Sequence, residues 1–274
     1  MIIDYSNFRP GIQELKGAGV TAVGRYIGWN SEPGYGNPGH NIDKAEADLL
    51  IGNGISVFLC FEYEAAAASK GAPQGTEDGK LASQQLANMG APGDMAVYFA
   101  VDFDIPDYAP GSNDPKAKLG PVADYFAAIN ACKPRYKVGV YGGYYVVSRA
   151  MEAGLAQMGW QTVAWSGGMT CDKAVLLQTG AQVWAPNADI NQLMHGAADF
   201  GQWPRPAPGQ GPQRFEADGT VSLHDAAQKK GVGVCEVLWF TAQHRPNGYA
   251  SIEEAYINAG QWETAMPAGM VYWA

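Results

Sequence analysis

Cysteine and histidine are both scarce in this chain. Its four cysteines, Cys60, Cys132, Cys171 and Cys235, show no C-x-x-C or Cys/His spacing. Reduced thiols are therefore expected, with Cys60 filling an apolar strand, rather than a disulfide framework. The four histidines form no zinc spacing, so no metal site is expected. No Ser/His or Cys/His motif supports nucleophilic acyl transfer. Glycine-rich phosphate loops of the GxGxxG or GxxxxGK type are missing, and Gly142-Gly143 resembles one only superficially. No organic cofactor is implied. Basic residues are few: 18 Lys and Arg stand against 27 Asp and Glu, a net charge of -9. That balance argues against a nucleic acid or an anionic membrane surface as partner. No apolar run is long enough to span a bilayer. The opening Met1-Ile-Ile-Asp4 already looks like a strand, with no basic and apolar leader before it, so a chain without a signal peptide is expected.

What is present is a packed, loop-rich globular sequence, with 47% hydrophobic and 16% charged residues, 35 glycines and 17 prolines. Strand-like runs cover Met1–Asp4, Thr21–Ile27, Ile55–Phe61, Met95–Phe103, Tyr136–Tyr141, Gln161–Trp165, Val175–Gln178 and Gln182–Trp184. Helical patterns lie between them, near Gly11–Ala18, Ile42–Asn53, Glu77–Met89, Pro115–Asn130 and Tyr144–Met158. This alternation predicts parallel strands joined by crossover helices. The fold class expected is α/β, a (β/α)8-like TIM-type barrel over residues 1–203, followed by a small α+β C-terminal domain. The Pro- and Gly-dense run from Trp203 to Gln213 reads as a linker over 204–213. The unit from 214 to 274 carries helical spacing at Leu223–Lys230, Val234–Gln243 and Ile252–Asn258, and a closing strand at Met270–Trp273.

The run Met95-Ala-Val-Tyr-Phe-Ala-Val-Asp102-Phe-Asp104 ends an apolar strand in two acidic residues at i and i+2. In a strand that spacing places both side chains on one face, with Cα atoms roughly 7 Å apart. Paired carboxylates are the means by which glycosidases divide acid and base work, and like charges this close raise one pKa. The competing reading is a solvated strand end. In a TIM-type barrel the site lies at the C-terminal ends of the strands. The residues expected there are Asp4, Arg25 with Tyr26, Glu62, Asp102 with Asp104, Tyr141, Trp165, Gln178 and Asp189. Glu62 competes with Asp104 as the acid. Arg25, on an apolar strand, reads equally as an internal partner for acidic groups, and Asp4 as a cap on the following turn. Tyr141, Trp165 and Trp184 read either as sugar-stacking faces or as core aromatics. His40 is placed in a loop flanking the groove.

A family resemblance rests on these residues. Asp4-Tyr-Ser6, Gly24-Arg-Tyr-Ile27, Val97-Tyr-Phe-Ala-Val-Asp-Phe-Asp104, Gly139-Val-Tyr-Gly-Gly143, Trp160-Gln-Thr-Val-Ala-Trp165 and Asp189-Ile-Asn191 occur in order along the chain. Together they resemble the family 25 lysozyme barrels and, more closely, the glycoside-hydrolase-like domain of actinobacteria and their phages. The resemblance implies recognition and hydrolysis of the peptidoglycan glycan strand, of N-acetylmuramidase type. It places Asp104 as general acid, Asp102 as its helper, and Asp4 and Asp189 as further acidic site residues. Glu62, Arg25, Tyr141, Trp165 and Gln178 are the expected substrate contacts. The lysozymes carry Asp-x-Glu where this chain has Asp-x-Asp, which shortens the acid's reach by about 1.5 Å. The C-terminal unit resembles a LysM module through Asp218-Gly-Thr-Val-Ser-Leu223 and Met266-Pro-Ala-Gly269. The phage resemblance implies a product acting at the host cell wall or carried on the virion beside other virion proteins. The alternative is a non-catalytic virion or tail protein that keeps the barrel for glycan binding or for structure.

Overall fold

A computed structural model describes residues 1–28, 40–184, 187–197, 199–204, 214–216, 220, 222 and 271–273. Eight strands close into a barrel in chain order: β1 (Ile2–Asp4), β2 (Ala22–Ile27), β3 (Ser56–Phe61), β4 (Ala96–Ala100), β5 (Lys137–Gly142), β6 (Met158–Thr162), β7 (Ala174–Val183) and β8 (Ala188–Leu193). The helices are α1 (Ile12–Gly17), α2 (Lys44–Gly52), α3 (Ala72–Met89), α4 (Pro115–Leu119), α5 (Pro121–Ala131) and α6 (Tyr144–Glu152). The expected TIM-like α/β barrel is the fold observed. None of the helices among the described residues is long and apolar enough to cross a membrane.

Three details differ from the expectation. β1 to β7 are parallel, but β8 runs antiparallel to both β7 and β1. Only residues 184–187 separate β7 from β8, and a parallel return needs a crossover of a dozen residues or more. The runs at Val175–Gln178 and Gln182–Trp184 are two parts of the single strand β7. The helix expected over Pro115–Asn130 divides at Gly120, whose φ of 55° lies in the left-handed region.

Strand alternation sorts the side chains into two layers. Ile2, Ala22, Phe58, Cys60, Ala96, Tyr98, Ala100, Tyr141, Met158, Trp160 and Leu176 form one buried cluster, the barrel interior, joined by Phe200. The alternate residues Ile3, Val23, Leu59, Phe61, Val97, Phe99, Val138 and Val140 pack outward beneath the helices. Each buried side chain of this size contributes about 1.5–3 kcal/mol. The interior is floored by aromatics: Phe58 meets Tyr98, Trp160 and Phe200 edge to face. Phe200 is held there by the Tyr98 hydroxyl, which donates to its carbonyl at 2.7 Å. This closes the end where β4 begins, since Ala96 N donates to the Gly201 carbonyl. Polar chemistry is left to the opposite end. Cys60, Cys132 and Cys171 are free thiols.

Beyond the barrel, β9 (Arg214–Glu216) pairs antiparallel with β10 (Val271–Trp273), so the closing strand expected near Met270–Trp273 is present. The helices expected at Leu223–Lys230, Val234–Gln243 and Ile252–Asn258, most of the linker and the LysM-like features lie outside the described residues.

Candidate active site

The C-terminal ends of the parallel strands gather a set of carboxylates. Asp4, the last residue of β1, has the inward parity of Ile2 and is 1% exposed. Its neighbour across the pair is Gly24, where a Cβ would stand 2.7 Å from the Asp4 Cβ and 2.5 Å from the Phe58 ring. Glycine at this point lets the carboxylate and the ring share one layer. Asn191 Nδ2 donates to Asp4 Oδ1 at 2.7 Å, and Gln178 Nε2 donates to Oδ1 at 3.0 Å and Oδ2 at 3.2 Å. The Tyr26 hydroxyl lies 3.4 Å from Oδ2. Both amides are oriented from behind: the Tyr141 hydroxyl donates to Gln178 Oε1 at 2.8 Å, and Trp160 Nε1 donates to Asn191 Oδ1 at 2.8 Å. Burial pushes the Asp4 carboxyl up to about 7 despite the donors from Asn191 and Gln178, and the Asp189 charge adds to the rise.

Glu62 follows β3 directly and Asp102 follows β4 by two residues, both on the inward parity. Neither is fully exposed. Burial pushes Glu62 up to about 7, and the Asp102 charge pushes in the same direction. Burial also raises Asp102. The Cys60 thiol beneath them is raised by burial and then by the charges of Glu62, Asp4 and Asp102. Asp189 pairs with Asp4 in register across β1 and β8, and its Oδ1 accepts from Gln182 Nε2 at 3.0 Å. Asp4, Glu62, Asp102, Asp189, Tyr141 and Gln178 therefore come together at the mouth, as the sequence places them.

Arg25 does not join them. It has the outward parity and is fully buried between the barrel and α2. There its Nε donates to Glu46 Oε1 at 2.6 Å, Nη1 donates to the Tyr5 carbonyl at 2.6 Å, and the guanidinium lies over the Tyr5 ring. It is the internal ion-pair partner rather than a substrate contact. His40 is buried against Tyr26, not placed in an open loop, with ring centroids 4.7 Å apart. Asp104 also departs from its expected place. β4 ends at Ala100 and its ladder reaches only to Val101 N, which donates to the Tyr141 carbonyl, so strand alternation extends to Asp102 but does not carry through to Asp104, which is exposed. It lines a groove beside the mouth together with Trp165, a 39% exposed indole.

Tyr26, expected at the strand ends beside Arg25, joins the network. Two residues of the network were not among the expected contacts: Asn191 and Trp160. Parity with Asp189 would have found Asn191. Trp160 reads as plain core in any pattern, because its single polar atom is what matters here. Among the described residues no group of three or more His, Cys, Asp or Glu is placed to hold a metal ion.

The chain matches the family described as Rv2525c-like, glycoside hydrolase-like domain over residues 13–202. The Mycobacterium tuberculosis protein named "Putative peptidoglycan hydrolase Rv2525c" is 25% identical over 210 residues, covering 74% of this chain and 83% of that protein. YbfG of Bacillus subtilis strain 168 is 31% identical over 157 residues, which span 53% of this chain but only 20% of YbfG. The crystal structure of the Tat-secreted Rv2525c in complex with L-tartrate superposes with a TM-score of 0.63 at 25% identity, covering 74% of this chain and 98% of that one. The matched stretch carries Glu62, Asp102, Gln178 and Asp189 and every barrel strand but the first, and the chain belongs to the Rv2525c-like glycoside hydrolase-like domain family.

Proposed function

We propose that this protein cleaves the glycan strand of peptidoglycan at the barrel mouth, with Glu62 as the proton donor and Asp102 as its partner carboxylate. The observation that carries this reading is the placement of Glu62 and Asp102, two half-buried carboxylates just past the ends of the adjacent parallel strands β3 and β4, where burial raises both. A general acid works best with its proton affinity near the working pH. Glu62 then protonates the departing glycosidic oxygen, while Asp102 supports the positive charge that develops at the sugar carbon or draws a proton from the attacking water. Asp4, held by Asn191 and Gln178, forms the hydrogen-bonded floor beneath the pair. The family assignment and the name of the mycobacterial relative support the same chemistry. On this reading the protein acts at a bacterial cell wall, whether secreted, like the Tat-secreted mycobacterial relative, or delivered by a phage, as the sequence resemblance implies. A LysM-like unit after residue 213 would add a second glycan contact.

The binding-only reading draws on Asp104, which occupies the lysozyme acid position in sequence yet stands exposed and outside the pair. Reducing-end release from purified peptidoglycan separates the two. Release by the wild type that is lost in Glu62→Gln, with sedimentation on cell walls retained, establishes the glycosidase. Wild-type protein that sediments with cell walls and releases nothing leaves a binding module.

A further inference from the structure

A groove of about 690 Å3 opens beside the mouth, lined by Asp104, Asp107, Lys118, Tyr145, Arg149 and Trp165 among others. Its volume falls within the roughly 300–1,000 Å3 typical of ligand sites. Its walls leave from the ends of the strands that carry the mouth. Asp104 lies two residues past Asp102, Tyr145 is the second residue of α6 just after Tyr141 and β5, and Trp165 lies three residues past Thr162 on β6. Mouth and groove are therefore neighbours along the rim of three successive strands.

The groove offers two aromatic faces to solvent. Tyr145 is 43% exposed and Trp165 39%, and both belong to the small set of large apolar side chains left open among the described residues. Trp165 holds a φ of 53°, a left-handed conformation costly for a bulky residue. The surrounding structure imposes it. Ser166 Oγ donates to the Thr162 carbonyl at 2.6 Å and accepts from Tyr144 N at 2.9 Å, which ties the Trp165 turn to the start of α6. Beneath the turn, Gln161 is 1% exposed and joins Ser166 Oγ, the Met169 carbonyl and Cys171 N. Arg149 lies over the Tyr145 ring at 4.8 Å and fixes that face.

The charges in the groove largely cancel. Asp107 meets Arg149 at 3.3 Å and Lys118 at 3.8 Å. Asp104 has no hydrogen-bond partner among the described residues, so its oxygens are open to hydroxyl donors. Two held aromatic faces, a balanced ion cluster and one open carboxylate suit a polyhydroxylated ring better than a multiply charged anion or an apolar chain. The geometry points to a second saccharide subsite in this groove, in which the faces of Trp165 and Tyr145 take the sugars next to those held at the mouth and Asp104 accepts from their hydroxyls. This deepens the proposed function and rests on it for the identity of the sugar.

The test uses isothermal titration of the full chain with β-1,4-linked N-acetylglucosamine–N-acetylmuramic acid oligomers of two and six sugars. Trp165→Ala and Tyr145→Ala each weaken the six-sugar oligomer about tenfold and leave the two-sugar oligomer unchanged, and Trp165→Phe restores most of the loss. Unchanged six-sugar affinity in both alanine variants overturns the subsite. Equal weakening of both oligomers overturns it too, because the residues then act through the mouth. A length-dependent loss in the alanine variants, with a wild type that releases no reducing ends, defeats hydrolysis and leaves the subsite standing. Wild type that binds neither oligomer defeats both.

Discussion

The barrel mouth and the groove beside it grow from the same strand ends, yet they handle carboxylates in opposite ways. In the mouth Asp4 is buried, bonded by Asn191 and Gln178, and pushed up to about 7. Glu62 is half-buried and raised likewise by burial and by Asp102. In the groove Asp104 stands in solvent without a protein donor among the described residues, while the aromatics around it are pinned in place. Burial tunes proton affinity and so suits chemistry, whereas exposure leaves lone pairs and ring faces for contact. A carboxylate's position in the sequence motif matters less than which of these two environments receives it.

The largest expected effect separates the regions by rate. Glu62→Gln keeps the shape of the side chain and removes its titratable proton, and turnover on peptidoglycan should fall by roughly 10²–10⁴-fold. The same amide substitution at Asp104 should leave turnover within about threefold of wild type. Initial rates of reducing-end release measure both. Comparable losses at the two positions would erase the distinction and return the acid role to Asp104.

A second contrast lies in stability against pH. In the folded chain Asp4 and Glu62 keep their protons up to about pH 7, whereas their ordinary values are 3.8 and 4.5. Between those limits the folded state binds more protons than the unfolded state, so raising the pH favours unfolding. Stability should fall by a few kcal/mol from about pH 4 to pH 7 and level off above it. Thermal midpoints at pH 5 and pH 8 measure this, and the lower midpoint belongs to pH 8. Asp4→Asn should flatten the dependence, and an equally steep one in that variant would remove Asp4 as a source.

Asp4→Asn should also be less stable at pH 5, where the wild-type Asp4 keeps its proton and carries no buried charge. The two amides facing Asp4 donate to it, and their acceptor oxygens are already taken by Tyr141 and Trp160, which leaves the Tyr26 hydroxyl, 3.4 Å from Oδ2, as the nearest acceptor. The protonated acid has one O–H to place there, whereas the new amide has two N–H groups and leaves one facing donors, at a cost of about 1–3 kcal/mol. For a chain of this length each kcal/mol lowers the midpoint by roughly 2–4 °C. Asp104→Asn, in solvent, should not shift it measurably.

Much of this architecture is legible in the residues alone, and the failures have definite causes. Strand and helix alternation specifies the barrel, and strand ends specify Asp4, Glu62, Asp102, Tyr141, Gln178 and Asp189, because a buried strand that stops at a polar residue marks its own rim. The alternation rule fails where strand geometry ends. Alternation puts Asp102 and Asp104 on one face of β4, but β4 stops at Ala100 and the irregular backbone turns Asp104 away. Arg25 departs for the opposite reason: its strand is regular, and odd parity sends it to the helix layer to meet Glu46. The reversal of β8 is implicit in the short gap after Val183. The hydrogen bond from Trp160 to Asn191 joins residues 31 apart in sequence, and no local pattern carries it.

The finest test compares two aspartates two residues apart. Asp102 raises Glu62, and the Asp104 charge is not among the causes of that rise. Glu62 is the acid on the proposed mechanism, so activity should fall as pH climbs through about 7, where Glu62 loses its proton. Neutralising Asp102 removes a repulsion that favours the protonated form, so Asp102→Asn should move that alkaline limb to lower pH by about one unit or less. Asp104→Asn should leave the limb where it is, even if it weakens binding of long oligomers. The pH profile of kcat/KM distinguishes them, since weaker sugar binding in the groove changes the height of the curve and removal of a charge beside Glu62 changes its position. A limb that moves with Asp104 and not with Asp102 would mean that the proton leaves from the groove side of the rim.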